Sequence, residues 1–377
     1  MLIKPVSRFL ASRRGIIATG TIIGIFASLL QKFGNPPNMG ICVACFERDI
    51  AGALGLHRAS VVQYIRPEIL GFVLGSMAAA FIFRDFKART GSAPIARFIL
   101  GAFAMIGALT FLGCPWRALL RLAGGDMNAI VGLAGLTIGI AIGDQFLKYG
   151  YNLGRSHGTY HTAGLVMPAI MAGLLILLVF APEFSINGAV FFSEKGPGSL
   201  HAPILISLAV SLLIGFIAQR TRFCTMGSIR DVLLVGDFHL MGGVIALVVS
   251  AFTMNLISGQ VNFGIIAQPI AHSSHLWNLL GMTLAGLAFV LAGGCPGRQL
   301  VLSGEGDTDA GIFVLGMITG AAFAHNFGLA ATPDKIVDGV VHVGGISSAG
   351  VAAVIIGIVF CLTVGFTMRE KTEGGLQ

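Results

Sequence analysis

Long apolar runs alternate with short polar or glycine-rich breaks along the whole chain. Runs of membrane-spanning length centre roughly on residues 16–33, 67–84, 94–113, 127–147 and 163–181, then 201–219, 239–258, 276–294, 308–329 and 344–367. Four further apolar segments are too short to cross: Gly40 to Leu56, Pro115 to Ala123, Phe223 to Gly236 and Pro296 to Ser303. They read as re-entrant half-helices, which dip into the membrane and return. The pattern predicts an all-α membrane protein of about ten spans with four half-helices.

The polar breaks repeat. Gly113-Cys114-Pro115-Trp116-Arg117 is matched by Gly294-Cys295-Pro296-Gly297-Arg298, and each copy reaches an aspartate twelve residues after its cysteine, Asp126 and Asp307. Cys42 is followed by Arg48-Asp49 as Cys224 is by Arg230-Asp231, and the paired cysteines lie 182 and 181 positions apart. The chain is therefore expected to be a duplication, residues 1–182 and 183–377, each copy with five spans and two half-helices. An odd number of spans per copy makes the second enter the membrane with opposite orientation, an inverted repeat. The polar stretch from Glu183 to Ser199 reads as the outer loop where one copy gives way to the next. Gly135 and Gly139 recur as Gly316 and Gly320, four residues apart on one helix face, where backbones can approach closely.

Composition agrees with a membrane location. The 377 residues are 55% hydrophobic and 11% charged, with a mean hydropathy of +0.86, more apolar surface than a soluble core can hide. The net charge of +7 is scattered between the spans and forms no stripe for nucleic acid. With both termini inside, sixteen Lys and Arg fall on inner segments and eight on outer ones, as the positive-inside rule requires. The basic start followed by Ile16 to Leu30 has no small-residue cleavage site, so this run reads as the first retained helix.

The repeated turns carry the candidate chemistry. Proline favours the first helical position, so Cys114-Pro115 and Cys295-Pro296 place each cysteine at the N-cap of a half-helix, where free N–H groups and the positive end of the helix dipole attract anions. Arg117 and Arg298 lie one turn on and add positive charge. Asn38 is the expected cap of the first half-helix, with Cys42 in its first turn, and Thr221 stands similarly before Cys224. Irregular backbone inside a bilayer survives only where it is buried in protein or lines a polar cavity, and the intramembrane Arg48 and Arg230 carry the same implication. The eight candidate pathway residues are thus Cys42, Cys114, Cys224, Cys295, Arg48, Arg117, Arg230 and Arg298.

Other residues read as structural. Asp126 and Asp307 are expected helix caps, Arg48-Asp49 and Arg230-Asp231 are expected to pair with neighbouring elements, and Cys361 reads as a small hydrophobe. Cys45 has no repeat partner, because Gly227 takes its place, and His325 beside Asn326 reads as a hydrogen-bonded packing residue. Cys42 and Cys45 lack a second pair at zinc-finger spacing, so no metal site is expected. No nucleotide-binding loop or other cofactor motif occurs, and the chain is not expected to be an enzyme.

Asn38-Met39-Gly40-Ile41-Cys42, Gly113-Cys114-Pro115-Trp116-Arg117 running to Gly124-Gly125-Asp126, Phe223-Cys224 and Gly293-Gly294-Cys295-Pro296 together resemble the YeeE/YedE family of bacterial inner-membrane proteins. That family includes thiosulfate-uptake transporters and a selenium-associated branch, which the details around the first and third motifs look like. The resemblance implies an hourglass-shaped permease in the inner membrane, with cysteines handing a small sulfur- or selenium-containing anion inward: Cys114 outermost, Cys42 central, Cys295 innermost. It also allows a cytoplasmic sulfur- or selenium-carrier protein as a partner. The alternative is a membrane thiol oxidoreductase or selenium carrier, which would need the Cys42-Cys45 pair.

Overall fold

The computed structural model describes residues 3–180, 190–338 and 340–369. The expected boundary at 182 and 183 and the start of the outer loop lie outside these residues. The helices of the first half are α1 (Ile3–Leu10), α2 (Arg13–Lys32), α3 (Val43–Ala53), α4 (Pro67–Ile82), α5 (Pro94–Phe111), α6 (Pro115–Ala123), α7 (Asn128–Lys148), α8 (His161–Gly164) and α9 (Val166–Phe180). Those of the second half are α10 (Ile204–Thr221), α11 (Thr225–Val235), α12 (His239–Ile257), α13 (His275–Ala292), α14 (Pro296–Gly304), α15 (Thr308–Asn326) and α16 (Ser348–Thr367). The described strands form two small antiparallel pairs, Arg89–Thr90 with His157–Gly158 and Lys335–Val337 with Val340–His342.

The chain is an all-α membrane protein that crosses the bilayer many times. Eight described helical stretches are long and apolar enough to cross, and α4 and α9 are shorter apolar helices at the two remaining predicted positions. The re-entrant segments form the short helices α3, α6, α11 and α14, within a few residues of the predicted bounds. Each follows a sharp reversal of the backbone. Leu112 (φ 62°), Arg222 (φ 56°) and Gly293 (φ 85°) are left-handed two residues before a capping cysteine, and Asn38 (φ 56°) is left-handed four residues before Cys42. Only glycine adopts this conformation without strain, so Leu112 and Arg222 are held in it by their surroundings.

The halves interlock. α2 packs on α12 and α4 on α10, while α5 packs on α15 and α7 on α13. When helices are matched by their order in each half, every one of these contacts recurs with the halves exchanged. The loops obey the same exchange: Lys87 and Arg89 donate backbone hydrogen bonds to Glu305 and Gly306, as Asn262 and Gly264 do to Gly124 and Gly125. The four expected glycines sit at the helix crossings. A Cβ at Gly135 or Gly139 would overlap backbone at Leu279 or Thr283 of α13, and one at Gly316 or Gly320 would overlap backbone at Phe98 or Ala102 of α5.

Such contacts make the packing intolerant of size. Gly135→Leu should destabilise the protein by about 1–3 kcal/mol or more, whereas Gly173→Leu should be neutral, because nothing lies within 4 Å of a Cβ there. Thermal unfolding in detergent, followed by size exclusion, measures the difference; equal stability would contradict this packing.

Candidate functional site

All four half-helices begin on a cysteine. Cys114 and Cys295 cap α6 and α14 with proline at the first helical position, as the motif predicts. For α3 and α11 the expected caps give way to the cysteines themselves. Cys42 Sγ accepts from the Cys45 backbone N–H at 3.3 Å, and Cys224 Sγ accepts from Gly227 N–H at 3.2 Å. Asn38 and Thr221 stand too early, because Asn38 lies in a left-handed turn and Thr221 still belongs to α10. The cap bonds also explain why glycine can replace Cys45 in the second half: the position contributes its backbone N–H.

The four thiols come together as two pairs. Cys42 and Cys114 lie 3.8 Å apart between sulfurs, and Cys224 and Cys295 lie 3.6 Å apart. Each pair joins half-helices of the same half, so helix N-termini and thiols converge at two buried points. Cys42, Cys114 and Cys295 are shut off from solvent, while Cys224 lines a cavity of about 500 Å³ with Arg220, Arg222, Arg230, His239 and Arg298. A second cavity of about 470 Å³, mostly apolar, is lined by Arg48, Leu109, Leu112, Ile270 and His325. The two occupy opposite ends of the bundle. α15 starts beyond Glu305, which with Arg298 and Arg220 lines a recess at the basic end, and finishes at Ala324 and His325 in the apolar cavity.

The arginines around the thiols divide into anchored ones and one exception. Arg48 folds back onto its own neighbour, with Nη2 2.6 Å from Asp49 Oδ1, and Arg230 does the same to Asp231 at 2.8 Å. The expectation that these residues pair only with other elements fails for both arginines, whose side chains are long enough to curl along the helix. Asp49 meets the expectation through its second oxygen, 2.7 Å from Arg66 Nη2. Arg66 in turn donates to Pro197 and Leu200 carbonyls of the second half. Arg121 holds Asp126 at 2.6 Å with both side chains fully buried; removing one partner of such a pair typically costs about 3–5 kcal/mol. Arg298 pairs with Glu305 at 3.0 Å. Burial pushes the Glu305 carboxyl up, against the pull of Arg298.

Arg117 is the exception. It is fully buried and donates to the carbonyls of Leu112, Asn38, Pro269 and Ile270, with Nη1 3.7 Å from Cys45 Sγ. No described carboxylate lies within salt-bridge distance of it. Its charge therefore stays uncompensated beside the Cys42–Cys114 pair, where low dielectric extends its reach.

Asp307 caps α15 as expected, accepting from Ala310 N–H, and it also pairs with Arg89. Asp126 accepts from the N–H of Asn128, the first residue of α7, although Met127 occupies the cap position. Cys361 is buried within the apolar core, as read. His325 packs tilted against His57 with ring centroids 4.6 Å apart, and its Nε2 has no hydrogen-bond partner among the described residues, so its ring is held by packing more than by hydrogen bonds. Sequence reasoning passed over Glu47, fully buried on α3 with neither oxygen bonded among the described residues. An acid directly before Arg48-Asp49 in an otherwise apolar re-entrant segment was the available signal.

The family comparison concerns the half that holds Cys224 and Cys295. A family model described as Sulphur transport matches residues 220–377. The match covers less than half of the chain and marks this segment as similar to that family. Over 107 residues the chain is 29% identical to the thiosulfate transporter TsuA of Escherichia coli (strain K12), covering 28% of this chain and 30% of that protein. It is 32% identical over 107 residues to TsuA of Spirochaeta thermophila, covering 28% of this chain and 32% of that relative. The matched stretch spans about a third of the relatives' length. The similarity supports the YeeE/YedE resemblance.

The thiol geometry can be read by chemistry. Mild oxidation with diamide should link Cys42 to Cys114 and Cys224 to Cys295, because each pair is a small side-chain movement from the roughly 2.05 Å bond. Mass spectrometry of the digested protein should recover those two linked peptides with Cys361 free. Linkage of Cys361, or across the two pairs alone, would contradict the arrangement.

Proposed function

We propose that the chain is a permease for a small, thiosulfate-like sulfur- or selenium-containing anion in a bacterial inner membrane. The observation that carries this reading is the convergence of four half-helix N-termini, each capped by a thiol, at two buried points beside the uncompensated charge of Arg117. Helix N-termini bind anions, and soft sulfurs add weak contacts that suit a sulfur or selenium atom. Several weak sites in series favour passage, since one tight site would hold the ion. The names of the two relatives support a sulfur anion as substrate.

In this reading the two halves are inverted copies, and the exchange of helix contacts between them supports it. Both termini and the basic cavity then face the cytoplasm, a reading the positive-inside count supports. An anion enters through the apolar cavity past Arg48, meets Cys114 and Cys42 under the attraction of Arg117, then Cys295 and Cys224, and leaves among Arg230 and Arg298. The basic mouth would also suit an acidic cytoplasmic sulfur- or selenium-carrier protein. A thiol oxidoreductase remains the second reading, favoured by the 3.8 Å and 3.6 Å thiol spacings.

Uptake of radiolabelled thiosulfate, selenite and sulfite into vesicles holding only this protein tests the proposal. Cys42→Ala, Cys114→Ala and Cys295→Ala should each abolish uptake in folded protein, while Cys361→Ala transports normally. Thiols that merely fill space would leave transport intact at a stability cost of about 1 kcal/mol. A folded Cys42→Ala variant with full uptake of all three anions would falsify the relay.

A further inference from the structure

The repeated turn departs from symmetry at one position. Cys-Pro-x-Arg has Trp116 at x in the first half and Gly297 in the second. The structure brings these two residues together: a Cβ at Gly297 would stand 2.9 Å from Trp116 Cζ2 and 3.0 Å from Cε2. The indole fills the space that the glycine leaves, so a second large side chain would not fit.

The ring bridges the segments that carry the two thiol pairs. Trp116 is two residues from Cys114, Gly297 is two residues from Cys295, and Phe223, which meets the indole edge-on at 5.7 Å, precedes Cys224. Phe72 holds it from another direction at 5.6 Å. The indole is 2% exposed, and its Nε1 has no hydrogen-bond partner among the described residues. Cε2 is bonded to that nitrogen, so the unpaired N–H lies one bond from the ring atoms nearest Gly297 and the start of α14.

An indole N–H is a donor only, and leaving it buried and unpaired is costly unless a transient acceptor compensates. We propose that Trp116 is the gate between the two thiol pairs and the hydrogen-bond donor that admits an oxyanion there. The inference rests on the permease reading above. It assigns the sulfur end of the anion to the thiols and an oxygen to the indole, so an anion needs both a soft atom and an oxygen acceptor to pass. No bond is made or broken.

Trp116→Phe keeps an aromatic plug and deletes the donor, and thiosulfate uptake should fall about tenfold, the scale of one lost buried hydrogen bond. Trp116→His restores a ring N–H and should recover part of that loss. Trp116→Ala opens the gap and should raise sulfate entry into vesicles about tenfold or more, as thiosulfate selectivity collapses. A second readout needs no variant at the gate. The chain has two tryptophans, so in Trp277→Phe protein the emission of Trp116 should change saturably with thiosulfate. Normal uptake by Trp116→Phe, unchanged discrimination in Trp116→Ala, or emission indifferent to thiosulfate would overturn the gate. Normal uptake by Cys42→Ala would instead sink the pathway beneath it, so the two failures are distinguishable.

Discussion

A helix that begins inside a membrane leaves backbone N–H groups that lipid cannot satisfy. This chain begins four there, and the constraint governs much of what surrounds them. At Cys42 and Cys224 the sulfur takes one of the orphan donors directly. At Cys114 and Cys295 a proline removes one donor from the account. What remains is a cluster of positive dipole ends pointing at sulfur, tolerable only because the halves wrap around it. The interlocked packing of α2 with α12 and α4 with α10, and of α5 with α15 and α7 with α13, supplies that enclosure.

The buried arginines follow from the same constraint. Where a chain turns back inside the bilayer, carbonyls are orphaned as well as N–H groups. Arg117 collects four of them and Arg66 two, each tying a half-helix of the first half to a loop of the second. Arg66 is neutralised by Asp49, but Arg117 is balanced by dipoles alone. The residue that braces the turn before α6 is thereby also the one that leaves a positive field at the thiols. A structural need and an anion-attracting field are met by one side chain.

Much of this was legible in the chain. The ten apolar runs, the four short segments, the cysteine spacing and the Cys-Pro caps are local features, and local physics decides them. The glycine pairs were legible too, because a small residue repeated at four-residue spacing has one common use between membrane helices. What escaped depended on which segments meet in space. Nothing local says that Cys42 would replace Asn38 as a cap, that Arg48 would curl onto Asp49, or that Trp116 would lie on its own counterpart, Gly297. The pairing of Cys42 with Cys114 joins residues 72 positions apart across a reversal of the backbone. Nor does anything local say that Cys224 would be the one of the four thiols that opens into a cavity.

The central claim is that a soft anion passes between the two thiol pairs. Diffraction at the selenium absorption edge, from crystals grown with selenosulfate as a thiosulfate analogue, tests it most directly. The account predicts an anomalous peak between Cys42 and Cys114 on one side and Cys224 and Cys295 on the other, beside the indole of Trp116. Selenium density confined to the basic cavity or the protein surface, with none between the pairs, would contradict it.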